Sequence, residues 1–128
     1  MPVASQAALA RAKPRLDLFD QTFTDSPKAF LYTREVQAAK HDFQARMFAP
    51  SVGVFEDPAT GSAAAAFSGV LMAFDKMQTG RHDVIIEQGY QMGRPSVIGL
   101  SLDVEHGVLV EASIGGSAVI TAEGTLDL

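Results

Sequence analysis

The chain has 128 residues, 47% of them hydrophobic and 20% charged, which predicts one folded domain with a moderate core and excludes a disordered chain. Ten basic residues against fifteen acidic ones leave a net charge of −5, a balance that repels phosphate backbones and argues against nucleic-acid binding. Cysteine is absent, so disulfides, thiolate metal sites and cysteine nucleophiles are excluded, and a cytoplasmic setting is expected.

No basic segment followed by an apolar run opens the chain, so no secretion signal is read. Residues 2–12 are expected to be helical, ended by Lys13-Pro14. Leu16 to Phe19 is a short strand candidate, and Asp25-Ser26-Pro27 a turn. Ala29 to Thr33 reads as strand from its aromatic and β-branched content. Lys40-His41-Asp42 is a second turn before the strand Phe43 to Phe48, in which Phe43, Ala45 and Met47 alternate with Gln44 and Arg46.

Glu56 to Ser62 is a loop by composition and runs directly into a helix from Ala63 to Phe74. From Pro58 to Phe74 there is no charge, yet the stretch is richer in Ala, Gly and Ser than in Leu or Ile, so it is read as a core helix and not a membrane span. A helix uncharged around its whole circumference is expected to be wrapped by other elements.

The second half supplies that wrapping. Val84 to Gln88 is a strand, and Ile98, Leu100, Leu102 and Val104 alternate with Gly99, Ser101 and Asp103. Glu105-His106-Gly107 is a tight turn, after which Val108, Val110, Ala112 and Ile114 alternate again. Gly115-Gly116 permits a bulge or a close approach to the helix, and Ala118 to Thr121 is a further β-like run. The expected architecture is a single α+β domain over 1–128: an antiparallel-rich mixed sheet curled around one buried central helix.

The chemistry concentrates at Glu56-Asp57-Pro58-Ala59-Thr60-Gly61-Ser62. A helix start leaves N–H groups unpaired and carries partial positive charge, which suits a carboxylate or another anion. Gly61 lets a ligand approach the backbone, and Thr60 and Ser62 offer hydroxyls as caps or contacts. Pro58 biases Asp57 to an extended conformation at the mouth of this pocket, where a carboxylate suits proton transfer. The structural alternative is that Asp57 and Thr60 only cap the helix and Gly61 only permits a turn. Arg46 and Arg94 are candidates for gripping a substrate carboxylate or, more simply, for pairing with a nearby acid. His41, His82 and His106 fall in expected turns without ligand spacing and read as surface residues, and Glu87 reads as structural. A nucleotide phosphate loop lacks both its glycine spacing and its lysine.

Arg46-Met47-Phe48-Ala49-Pro50, Gly53-Val54 and Glu56 to Ala63, followed by Glu87-Gln88-Gly89, Met92-Gly93-Arg94-Pro95-Ser96 and Ile114-Gly115-Gly116-Ser117-Ala118, resemble the C-terminal half of PhzF-like (phenazine-biosynthesis) isomerases. The resemblance implies a diaminopimelate-epimerase-like fold of two pseudo-symmetric halves, each a sheet around a central helix, with the active site between the two helix starts. It implies cofactor- and metal-free proton transfer on a small carboxylate, with Asp57 in the site and Gly61 and Ser62 helping to hold the substrate; Pro58 and Thr60 of the same loop are further substrate-binding candidates. The family's principal acid/base glutamate belongs to the N-terminal half, to which nothing here corresponds. Glu56 is a tempting substitute, but it neighbours Asp57 and faces the other way in an extended segment. Completion by a partner half or a homodimer is therefore expected, with two Asp57 carboxylates flanking one cavity. The competing expectation is a non-catalytic module that binds a small carboxylate or oligomerises.

Overall fold

The computed structural model describes residues 1–126. Two short helices open the chain, α1 (Gln6–Arg11) and α2 (Leu16–Thr22). They are followed by β1 (Ala29–Thr33), β2 (Phe43–Ala49), β3 (Val54–Asp57), α3 (Gly61–Phe74), β4 (Gly80–Gln88), β5 (Ser96–Glu105) and β6 (Val108–Gly115). No helix among the described residues is long and apolar enough to cross a membrane. The fold is α+β, with six strands in one mixed sheet ordered β1-β2-β4-β5-β6 and β3 attached to β2.

All strand pairs are antiparallel except β2 with β4, which run parallel across the crossover that contains α3. The sharp β5–β6 hairpin uses His106 at φ 51° and Gly107 at φ 80°, the two positive values that a two-residue turn matched to the sheet twist requires.

Ser5 begins α1, its side chain accepting from the Ala8 N–H at 3.1 Å. The segment read as a strand at Leu16 to Phe19 is instead the first turn of α2. Leu16, Phe19 and Phe23 are spaced by three and four residues, so they share one helical face, and the Phe19 and Phe23 rings meet at 4.8 Å.

Two apolar layers pack on opposite faces of the sheet. Phe43, Ala45, Val84, Ile86, Ile98, Leu100, Leu102 and Val104 meet Ala64, Phe67 and Leu71 of α3 in the main core. Each fully buried Leu, Ile or Phe contributes roughly 1.5–3 kcal/mol by leaving water. On the other face, Phe48 packs with Phe19 and Ala29 beneath α2. The β2 strand lies between these layers, so all seven of its residues are buried, including Gln44 and Arg46.

The expectation of a fully enclosed helix is not met. The sheet covers only the Ala64–Phe67–Ser68–Leu71 face of α3. Ser62, Ala66, Gly69 and Ala73, four and three residues apart, remain exposed. A helix without charge need not be wrapped by its own chain; its far side is simply left open here. The same holds for β6, where Val108, Val110 and Ile114 are exposed. Residues 118–121 form no strand, and Val119 and Ile120 are 84% and 91% exposed.

Candidate functional site

The topology builds the candidate site along one edge of β2. At its beginning, Phe43 and Gln44 lie opposite Ile86 and Glu87 of β4; at its end, Met47 lies opposite Asp57 of β3. The end of β4 and the end of β3 therefore abut on that edge, and the loop from Asp57 to the start of α3 sits against Gln88 and Gly89.

Gln88 is fully buried and fastens this loop at three points. Its Nε2 donates to the Asp57 carbonyl at 2.6 Å and to the Thr60 hydroxyl at 3.1 Å, and its Oε1 accepts from the Thr60 N–H at 3.2 Å. The Thr60 hydroxyl in turn donates to Asp57 Oδ2 at 2.5 Å. Thr60 thus stands at the N-cap of α3 without capping it through its side chain; the hydroxyl tethers the carboxylate instead. Among the described residues, the helix ladder begins with Ala64 N–H to Thr60 O at 3.0 Å, and no hydrogen bond is made by the N–H groups of Gly61, Ser62 or Ala63. Asp57 is half-buried, and beside it lie three donors at the positive end of a 14-residue helix.

Gly89 is required for this arrangement. It adopts φ +84°, and a Cβ there would overlap the Arg94 carbonyl oxygen and lie 2.8 Å from that of Pro58. Both are backbone atoms and cannot swing aside. Gly89→Ala is expected to cost about 1–3 kcal/mol from the left-handed backbone alone and to displace the Pro58 loop, lowering the midpoint of a urea denaturation curve. A curve superimposing on the wild type would show that the loop does not press on Gly89. At Gly61 a Cβ would meet Ile114 Cδ1 of β6 at 2.5 Å, the tip of an exposed side chain that lies against the glycine.

The remaining candidates separate clearly. Arg46 and Glu56 form a two-pronged pair, Nε to Oε1 and Nη2 to Oε2 both at 2.8 Å, with side chains only 7% and 10% exposed. Arg46 Nη1 also donates to the carbonyls of Leu9, Ala10 and Ala12 at 2.8, 3.1 and 2.9 Å, satisfying the C-terminal end of α1, and its guanidinium lies 4.7 Å over the Phe48 ring. Every group of this pair is engaged within the chain. Asp57, one residue on from Glu56, faces the opposite side as strand alternation requires. Arg94 is exposed in the turn after Gly89 and makes no ion pair among the described residues.

Ser62 opens onto a groove shared with Lys28, Phe30, Met47, Ala66 and Val70. Gly61 and Ala59 open onto another, bounded by Pro95, Val97, Gly115 and Gly116. The helix start is thus accessible from both sides.

Two readings of histidines are corrected. His41 is half-buried and its Nδ1 lies 2.7 Å from Oε1 of the fully buried Glu87. Glu87 also accepts the N–H groups of Gln37 and Ala38, both at 2.8 Å, and so pins the β1–β2 loop. His82 falls within β4, not in a turn. The clasping role of Gln88 was missed from sequence, although its signal is present: Glu87-Gln88 ends the apolar run Val84-Ile85-Ile86, and buried polar residues in such a place need partners.

The family profile described as "Phenazine biosynthesis-like protein" (PhzC-PhzF) matches residues 1–124. The chain belongs to the PhzC-PhzF family. It is 50% identical over 97 residues to an uncharacterised isomerase of Mesorhizobium japonicum, covering 76% of this chain and 32% of that protein. It is 34% identical over 86 residues to a trans-2,3-dihydro-3-hydroxyanthranilate isomerase of Pseudomonas chlororaphis, covering 67% and 31%. Among solved structures, a Bacillus anthracis phenazine biosynthesis protein of the PhzF family superimposes with a TM-score of 0.74 at 19% identity, over 89% of this chain and 44% of that one. The fold is therefore that of PhzF proteins, and this chain spans about a third of the length of the curated relatives it matches.

Proposed function

We propose that this chain supplies one wall of a site for cofactor-independent proton transfer on a small carboxylate, the other wall coming from a second copy or a partner half. The observation that carries this reading is the Asp57 carboxylate held by Thr60 at 2.5 Å beside the unengaged N–H groups of Gly61, Ser62 and Ala63. Those donors suit the carboxylate of a substrate, with Ser62 adding its hydroxyl from the groove side. Isomerisation then moves one proton. A C–H bond of the ligand breaks and Asp57 takes the proton. The electron pair shifts along the ligand's unsaturated system, and a proton returns to a different carbon.

The open stripe Ser62–Ala66–Gly69–Ala73 and the exposed Val119 and Ile120 support completion by association, being surface of a kind that interfaces cover. In a homodimer two Asp57 carboxylates flank one cavity, one removing the proton and the other returning it. The substrate class follows the name of the Pseudomonas chlororaphis relative.

A second reading, a carboxylate-binding or oligomerisation module without catalysis, is favoured by one observation: Glu56, the only other carboxylate of the motif, is consumed by Arg46. Incubation with trans-2,3-dihydro-3-hydroxyanthranilate in D2O, alongside sedimentation velocity, separates the two. Deuterium incorporation by a dimer supports catalysis, and saturable binding without incorporation supports the module. A monomer that neither binds nor exchanges contradicts both.

A further inference from the structure

We propose that Gln88 is the positioning residue of the site: its buried carboxamide fixes the Thr60 side chain in the rotamer whose hydroxyl donates to Asp57 Oδ2, leaving Oδ1 as the oxygen presented to a ligand. The functional meaning rests on Asp57 being the proton-transfer group, whereas the geometry stands without it.

The orientation of the Gln88 amide is decided by its backbone partners. The Thr60 N–H can only donate, so the atom 3.2 Å from it is Oε1; the Asp57 carbonyl can only accept, so the atom 2.6 Å from it is Nε2. One hydrogen of Nε2 is used there, and the other goes to the Thr60 hydroxyl oxygen at 3.1 Å. Thr60 is thereby an acceptor towards Gln88, and its single proton is released for Asp57 Oδ2 at 2.5 Å. The result is a one-way chain of donors, Gln88 to Thr60 to Asp57, in which each bond polarises the next.

All three hydrogen-bonding positions of Gln88 that face the loop are filled, and the side chain is fully buried. Glutamate is of nearly equal size but, when ionised, has only acceptors. It would take the Thr60 proton and repel the Asp57 carbonyl, reversing the chain. Leucine would fill the space and provide neither end.

The test reads the chain of bonds directly. Three-bond couplings give the Thr60 χ1 rotamer in the ligand-free protein, and deuterium exchange into trans-2,3-dihydro-3-hydroxyanthranilate gives the rate. In the wild type Thr60 holds one rotamer. In Gln88→Glu and Gln88→Leu that rotamer is averaged or changed, and exchange falls by about 10²-fold with substrate affinity little altered, as expected for a misplaced group. Thr60→Val lowers exchange similarly and Thr60→Ser restores it. A fixed, unchanged Thr60 rotamer in folded Gln88 variants overturns the proposal. So does an altered rotamer with an undiminished rate in an active chain. Because the rotamer is read without ligand, a wild-type chain without exchange contradicts the proposed activity and leaves the rotamer to decide on Gln88. Should both Gln88 variants unfold, Thr60→Val still decides: loss of protection of the Gln88 carboxamide protons supports the proposal, and retained protection overturns it.

Discussion

Asp57→Asn is expected to lower deuterium exchange into trans-2,3-dihydro-3-hydroxyanthranilate by about 10²–10⁴-fold, the usual contribution of a positioned acid/base. Asparagine has the same shape, and its carbonyl oxygen can still accept from the Thr60 hydroxyl that now reaches Asp57 Oδ2. The Gln88 bonds go to the main chain of residue 57 and to Thr60, so they survive the substitution. The loop, the helix start and the melting temperature are therefore expected to stay close to wild type, while the proposed proton acceptor is removed. An undiminished rate would remove Asp57 from the chemistry.

Arg46→Ala is expected to destabilise the fold by about 3–5 kcal/mol, the cost of leaving one member of a buried pair uncompensated. Glu56 would lose both of its 2.8 Å bonds in a place where its side chain is only 10% exposed. The carbonyls of Leu9, Ala10 and Ala12 would lose their common donor, so the loss also loosens α1. Chemical denaturation measures the effect. The partner substitution Glu56→Gln is expected to cost less, because the amide oxygen keeps one of the two bonds to the guanidinium. Equal losses for both would show that the cost lies in the broken ion pair and not in packing, because Glu56→Gln keeps the side-chain shape. The pair also explains why Glu56 is a poor stand-in for a second acid/base: protonating or moving it dismantles the junction of α1, β2 and β3.

The sequence makes legible those elements whose pattern follows a single local period. Ile98, Leu100, Leu102 and Val104 alternate and are all buried in β5, and His106-Gly107 is the hairpin turn. Local patterns fail where a partner far along the chain decides. Leu16 to Phe19 is compatible with a strand until Phe23 is counted, and the spacing then becomes helical. The absence of charge on α3 suggests enclosure, but only one of its faces has a layer to meet. Gln44, Arg46, Glu87 and Gln88 are polar residues of strands, yet all four are buried, because β2 and the end of β4 lie between packed layers.

The candidate site shows the same division. The Asp57 to Ser62 segment is recognisable as a helix entrance with a carboxylate before it. What the local sequence does not disclose is the division of labour. Thr60 is turned back to Asp57 instead of capping the helix, Ile114 lies against Gly61, and Gln88, 28 residues after Thr60, closes the loop. These follow from β3 and β4 sharing one edge of β2, a topological fact with no local signature.

The central claim is that an anionic small molecule is gathered at the start of α3 beside Asp57. Titrating the ¹⁵N-labelled chain with 3-hydroxyanthranilate and following backbone amide resonances tests it most directly. Saturable shifts are predicted to be largest at Gly61, Ser62 and Ala63, with smaller ones at Asp57 and Thr60. A folded chain whose shifts cluster elsewhere, or whose Gly61 to Ala63 amides do not respond at all, would contradict it.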